Sequence, residues 1–173
     1  MIGKVAAIVL VGIIYAECAW SLNIPNYFPS AFRRASGGAN TFIAFSAGLT
    51  NGTESHVATN VTYDKVFVNA GNGYNSNTGV FTAPLAGTYV FMFHSLSQTN
   101  QQLWLDLYKN SNYVVTGHAH AVHDYASSSN AVVLTLDQGD ALYIRARGDN
   151  YVYGQPDEIY CTFSGFILFA SSD

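Results

Sequence analysis

Charge is scarce in this 173-residue chain: Asp, Glu, Lys and Arg together make up 10%, against about 25% in an ordinary soluble domain. Long exposed helices need Glu and Lys to solvate their outer faces, so a helical body is excluded. Intrinsic disorder is excluded too, because disordered segments are charge-rich and aromatic-poor. Seven basic residues against eleven acidic ones, with no basic run, make nucleic acid a poor partner. Two cysteines cannot build a disulfide framework. No apolar run approaches the ~20 residues of a spanning helix, so no membrane span is expected. The chain lacks a Gly-x-Ser-x-Gly elbow, a His-Glu-x-x-His pair and a phosphate-cradling glycine loop; no enzyme is expected and no catalytic residue is nominated. What is abundant is aromatic: 12 Tyr, 11 Phe and 2 Trp, set among Asn, Ser, Thr and Gly. A neutral polar surface around large rings reads as all-β.

The first residues look like an address. Lys4 supplies a positive start, residues 5–15 are apolar apart from Gly12, and small residues follow at Ala16, Cys18, Ala19 and Ser21. This is the pattern of a secretory signal peptide, expected over residues 1–21 with cleavage somewhere in 16–21. The protein is therefore expected to be secreted and extracellular. Cleavage also removes Cys18, leaving Cys161 alone within an apolar β pattern. Burial as a small hydrophobe is the favoured reading, and an interchain disulfide is the alternative. In a secreted chain the sequons at Asn51 (Asn-Gly-Thr) and Asn60 (Asn-Val-Thr) are candidate glycosylation sites, Asn51 the better exposed by its turn context.

Residues 22–40 carry Pro25, Pro29, Arg33, Arg34 and Gly37-Gly38 without periodicity, and are expected to be a flexible leader with no collagen repeat and no heptads. From residue 41 to 173 short β runs alternate with turns, as in a sandwich or barrel. Tyr89, Phe91 and Phe93 share one strand face at period two, and Leu103, Leu105 and Leu107 alternate with Trp104, Asp106 and Tyr108. Residues 132–136 and 142–147 flank an Asp137–Asp140 turn. The last run, 161–169, is apolar almost throughout and is expected to be a central strand covered on both faces.

Between Tyr63 and Phe93 the aromatics fall at fixed intervals. An aromatic is followed by five residues, Asn, four residues, an aromatic, six residues, Phe, five residues, Gly, and then alternating aromatics. Here these are Tyr63, Asn69, Tyr74, Phe81, Gly87, Tyr89, Phe91 and Phe93. With Ala44 to Leu49 (AFSAGL) and Thr162 to Phe166 (TFSGF) on either side, the chain resembles the globular head domain of complement C1q; Tyr63 stands where that family usually has Phe. Each position also has a physical use: the rings fill one core, Gly87 permits a turn, and Asn69 can cap the backbone of its loop. The resemblance implies a ten-stranded jelly-roll sandwich of the C1q/TNF kind that assembles as a trimer. It implies a secreted recognition protein without a collagen stem, lectin-like, in innate immunity.

Three groups of residues are candidates for binding. The loop between two late strands offers Tyr151 and Tyr153 as flat surfaces for sugar rings, with Asp149, Asn150 and Gln155 to take hydroxyls; packing at a subunit interface is the alternative use of those tyrosines. His118, His120, His123 and Asp124 form a metal-capable cluster, with His118 and His120 on one strand face. Imidazoles favour zinc or copper. Calcium enters through the resemblance: some family members hold it with an Asp just before an Ala-Ser-x-Ser stretch. Asp124 precedes Ala126 to Ser129 here, with Tyr125 where relatives carry Gln.

The function expected is therefore a secreted homotrimer that binds glycans or microbial-surface patterns, its low charge suiting polar, uncharged ligands. A structural or metal-binding protein of extracellular matrix or fluid is one alternative, and a cytokine-like receptor ligand is another.

Overall fold

The period-two runs become two antiparallel sheets packed face to face. The computed structural model describes residues 42–55, 60–120 and 122–171. The expected signal peptide and leader lie outside the described residues. Twelve strands follow one another, and no helix occurs among the described residues: β1 (Ala44–Gly48), β2 (Thr53–Ser55), β3 (Lys65–Ala70), β4 (Tyr74–Asn75), β5 (Val80–Thr82), β6 (Gly87–Leu96), β7 (Gln102–Lys109), β8 (Asn112–His120), β9 (Ser127–Leu136), β10 (Ala141–Ala146), β11 (Asn150–Val152) and β12 (Thr162–Ala170). The first sheet runs β3-β1-β12-β6-β9 and the second β4-β5-β10-β7-β8, each of five strands; β11 and β2 form a separate ribbon. This is the jelly-roll sandwich expected.

The core lies between the sheets, where the alternating positions point. Tyr89, Phe91 and Phe93 of β6 meet Leu103, Leu105 and Leu107 of β7, all buried. Phe45 stacks on Tyr74 and Phe81 at 4.9 Å from each and meets Phe163 edge-on at 4.9 Å. Edge-to-face and offset pairs of this kind stabilise beyond the area they bury. Asn69 clamps its loop as expected: its Oδ1 accepts from the Tyr74 amide (3.0 Å) and its Nδ2 donates to the Tyr74 carbonyl (2.8 Å).

Three expectations change. Gly87 opens β6 without a left-handed backbone. It is glycine because a Cβ there would stand 2.4 Å from the Phe169 carbonyl oxygen on the neighbouring strand. Strand β9 begins at Ser127, five residues before the apolar run at Val132, because its polar first half pairs residue for residue with β6. Strand β12 is central in its sheet but covered on one face only. Phe163 and Gly165 are buried while Ser164 and Phe166 are half-exposed and Leu168 is exposed. The outer face of the first sheet accordingly shows Met92, Val133 and Leu168 to solvent.

Candidate functional site

At one end of the sandwich the chain after β11 is tied down by its backbone. The Tyr153 amide donates to the Leu96 carbonyl (2.8 Å) and the Gln98 amide to the Tyr151 carbonyl (2.9 Å). Ser97 and Ala126 exchange two bonds, Ser97 N to the Ala126 carbonyl and Ala126 N to Ser97 Oγ, each 2.9 Å. Gly154 crosses the Asn51-Gly52 turn so closely that a Cβ would lie 2.4 Å from the Asn51 carbonyl carbon. Beneath, the buried thiol of Cys161 accepts from the Leu96 amide and donates to the Tyr153 carbonyl, both at 3.1 Å. Burial pushes this thiol up to about 11. Cys161 is thus the small buried group expected.

On this scaffold the loop residues separate into two kinds. Asn150 is 1% exposed. Its Oδ1 accepts from the Trp104 amide, and its Nδ2 donates to the carbonyls of Arg147 (2.6 Å) and Gly148 (3.1 Å). The amide is fully used inside the fold, which corrects its expected role as a ligand group. Asp149 is exposed, and its carbonyl accepts from Gln102 Nε2 at 3.4 Å. Tyr151 is half-buried. Tyr153 sits at the centre of a group that the sequence does not announce. Its ring meets Tyr125 edge-on at 5.0 Å and Tyr160 at 5.5 Å, and its hydroxyl donates to Gln155 Oε1 (2.7 Å). The Tyr160 hydroxyl donates to Glu158 Oε2, which raises the tyrosine above its ordinary value. Tyr125 and Tyr160 are both exposed. Parity offered a signal for Tyr160, since it precedes the inward Cys161; nothing local marked Tyr125.

The metal-capable residues run from β8 into the loop that leads to Tyr125. His118 and His120 both point outward from β8 and are exposed, as expected. The His118 ring is drawn onto Trp104 across the strand pair, 4.6 Å between centroids. His123 and Asp124 lie exposed beyond the strand, and Asp124 Oδ1 already accepts from the Tyr125 amide (2.8 Å). Among the described residues no group of three or more His, Cys, Asp or Glu side chains is placed to hold a metal ion. The four residues therefore do not converge on one ion within a single chain, and Asp124 by itself is no calcium cage.

Of the two sequon asparagines, Asn51 is exposed and Asn60 half-buried, its Oδ1 accepting from Arg145 Nε at 3.4 Å. A shallow depression of 420 Å³ lies elsewhere, on the outer face of the first sheet between Met92, His94, Ser129, Ala131, Thr162 and Ser164. None of the residues nominated from the sequence lines it.

Comparison with known proteins gives the lineage of this arrangement. The sequence profile of the C1q domain matches residues 44–168. Caprin-2 of Danio rerio is 35% identical over 131 residues, covering 73% of this chain; the chain spans 14% of that protein's length. The globular domain of zebrafish complement 1qA protein superposes with a TM-score of 0.63 at 24% identity, covering 75% of this chain and 99% of that one. Eiger TNF from S. frugiperda superposes with a TM-score of 0.64 at 15% identity, over 78% of this chain and 97% of that one. At these identities both structures speak for the fold alone. The profile match over most of the described residues, together with the aromatic register now seen filling the core, establishes that the chain belongs to the C1q domain family.

Proposed function

We propose that this protein is a secreted homotrimeric recognition protein that binds uncharged glycans, such as those of microbial surfaces, through the tyrosine cluster at the end of the sandwich. The observation that carries this reading is the group of exposed Tyr125 and Tyr160 packed on half-buried Tyr153, with Gln155 and Glu158 beside it. Flat rings accept the C–H face of a sugar while amide and carboxylate take its hydroxyls, and loops on a rigid sandwich are where binding concentrates. The apolar outer face of the first sheet, with Met92, Val133 and Leu168, supports self-association: a second copy of the chain buries what one copy exposes.

A glycan array probed with the full protein, with Tyr153→Ala and with Tyr160→Ala tests the site. Loss of the sugar signal in both variants is the expected result, and an unchanged profile sinks the assignment. An added chelator tests the calcium reading at Asp124 and the zinc or copper reading at His118 and His120 on the same array. A cytokine-like receptor ligand is the second reading, with the likeness in fold to Eiger TNF behind it. It predicts saturable cell binding that soluble sugars do not displace.

A further inference from the structure

The outer face of the second sheet carries two guanidinium groups and one carboxylate in register. Arg145 stands opposite Asp106, which stands opposite Thr116; on one side Tyr143 faces Tyr108, and on the other Trp104 faces His118. Arg147 takes the carboxylate. Its Nε and Nη2 donate to both Asp106 oxygens at 2.7 and 2.8 Å, and Thr116 Oγ1 adds a third bond at 2.5 Å. Asp106 is buried, and both of its oxygens are engaged by these three bonds. Arg145 is therefore left without a carboxylate among the described residues. Its Cζ lies over the Tyr108 ring (5.2 Å) and the Tyr143 ring (5.0 Å), and its Nε reaches only the Asn60 carboxamide, at 3.4 Å. Tyr108 and Tyr143 stack in parallel, 5.7 Å apart with 7° between planes, so they hold the guanidinium flat. Beyond Tyr108 stands Tyr113, 55% exposed, its ring edge-on to Tyr108 at 6.5 Å.

We infer that this face is a second binding site, for a carboxylate-bearing pyranose of the uronic acid type. A guanidinium fixed in plane by two rings presents its open edge to a carboxylate in the fork geometry such pairs favour. The Tyr113 ring, reached across Tyr108, offers stacking area for the C–H face of the sugar, and the Asn60 carboxamide beside Arg145 adds a hydrogen-bonding group. Local charge is one positive unit on a molecule whose formal net charge is −4. That balance suits isolated carboxylates and opposes a densely sulfated polyanion, which the remaining field repels. The face is a flat sheet surface with alternating aromatic and polar rows, a shape for rings rather than for an extended peptide.

The test is an NMR titration of the full chain with glucuronate, its methyl ester and glucose, read at the Trp104 indole signal. Glucuronate is expected to bind saturably, with the methyl ester and glucose at least about tenfold weaker, because the ester removes the charge and keeps the ring. Arg145→Gln is expected to weaken glucuronate by about tenfold and to flatten its salt dependence. Tyr113→Ala, at an exposed position, is expected to weaken it with the fold intact. Tyr153→Ala is expected to leave it unchanged, which separates this site from the tyrosine cluster. Equal binding of acid and ester, undiminished binding by Arg145→Gln, loss of binding in Tyr153→Ala, or displacement by a pentaglutamate peptide that binds more tightly overturns the assignment.

Discussion

A carboxamide in a polar loop invites the reading that it waits for a ligand, and Asn150 shows what decides the matter. Its partners are the Trp104 amide on β7 and two carbonyls of its own turn, so it closes the loop onto the sheet. Replacing it with Ala strands a buried amide and two carbonyls, and unsatisfied groups of this kind cost about 1–3 kcal/mol each. Urea unfolding of Asn150→Ala is expected to show a loss of about 2–3 kcal/mol, whereas Tyr160→Ala, at the surface, moves stability little. A second residue contributes to the alkaline limit, alongside the fully buried Tyr63, whose hydroxyl is raised further still by burial. The Tyr74 hydroxyl donates to the Tyr63 carbonyl (3.0 Å), and burial pushes it up to about 12 from an ordinary 10.0. The unfolded chain then releases this proton before the folded one does, so stability is full below pH 10.0 and falls as pH rises toward about 12. Tyr74→Phe is expected to make that fall, measured as the denaturation midpoint against pH, shallower, the remainder coming from Tyr63. Tyr74 was legible as a core ring from its register. Asn150 was not, because its partner arrives from another strand and no spacing along the chain reports it.

Strands whose residues alternate apolar and polar were readable, and those held by pairing alone were not. β6 and β7 declare themselves through Tyr89, Phe91 and Phe93 and through Leu103, Leu105 and Leu107. The first half of β9 is Ser127 to Ala131, with no apolar period. It is a strand because each residue pairs with β6 and because Asn130 Nδ2 donates to the Thr116 carbonyl (2.9 Å), joining the edges of the two sheets. β2 and β11, three residues each, are too short to carry a period at all. The β7–β8 hairpin is a place where the element can be improved. Its turn residues Asn110 and Ser111 both have positive φ, 48° and 72°, the conformation that favours Asn followed by Gly. Ser carries a Cβ into that region at a cost of about 1 kcal/mol, so Ser111→Gly is expected to raise stability by about that amount in thermal unfolding.

Seen entire, the sandwich has two unlike outer faces, and the aromatic surplus of the sequence divides between core and surface accordingly. The fold was legible through a family register that concerns the core alone. The faces were not, because exposure depends on which strands become neighbours. The first sheet shows apolar groups, Phe67 and Phe169 among the aliphatic ones, and the second sets rings among guanidinium groups. In the trimeric reading the first of these is the contact between copies. Val133→Asp is then expected to convert the assembly to monomers in native mass measurements while leaving the unfolding midpoint of the monomer nearly unchanged. Cys161 gives the end of the molecule a clock. Its sulfur has no exposed surface and is bonded to both Leu96 and Tyr153, so a thiol reagent reaches it only while the strap carrying Tyr153 has parted from β6. The rate of alkylation at Cys161, followed by mass spectrometry, is therefore the rate or population of that local opening. A sugar bound to the closed strap slows it by a factor of one plus the ratio of sugar concentration to dissociation constant, so a single buried sulfur measures occupancy of a site it never touches.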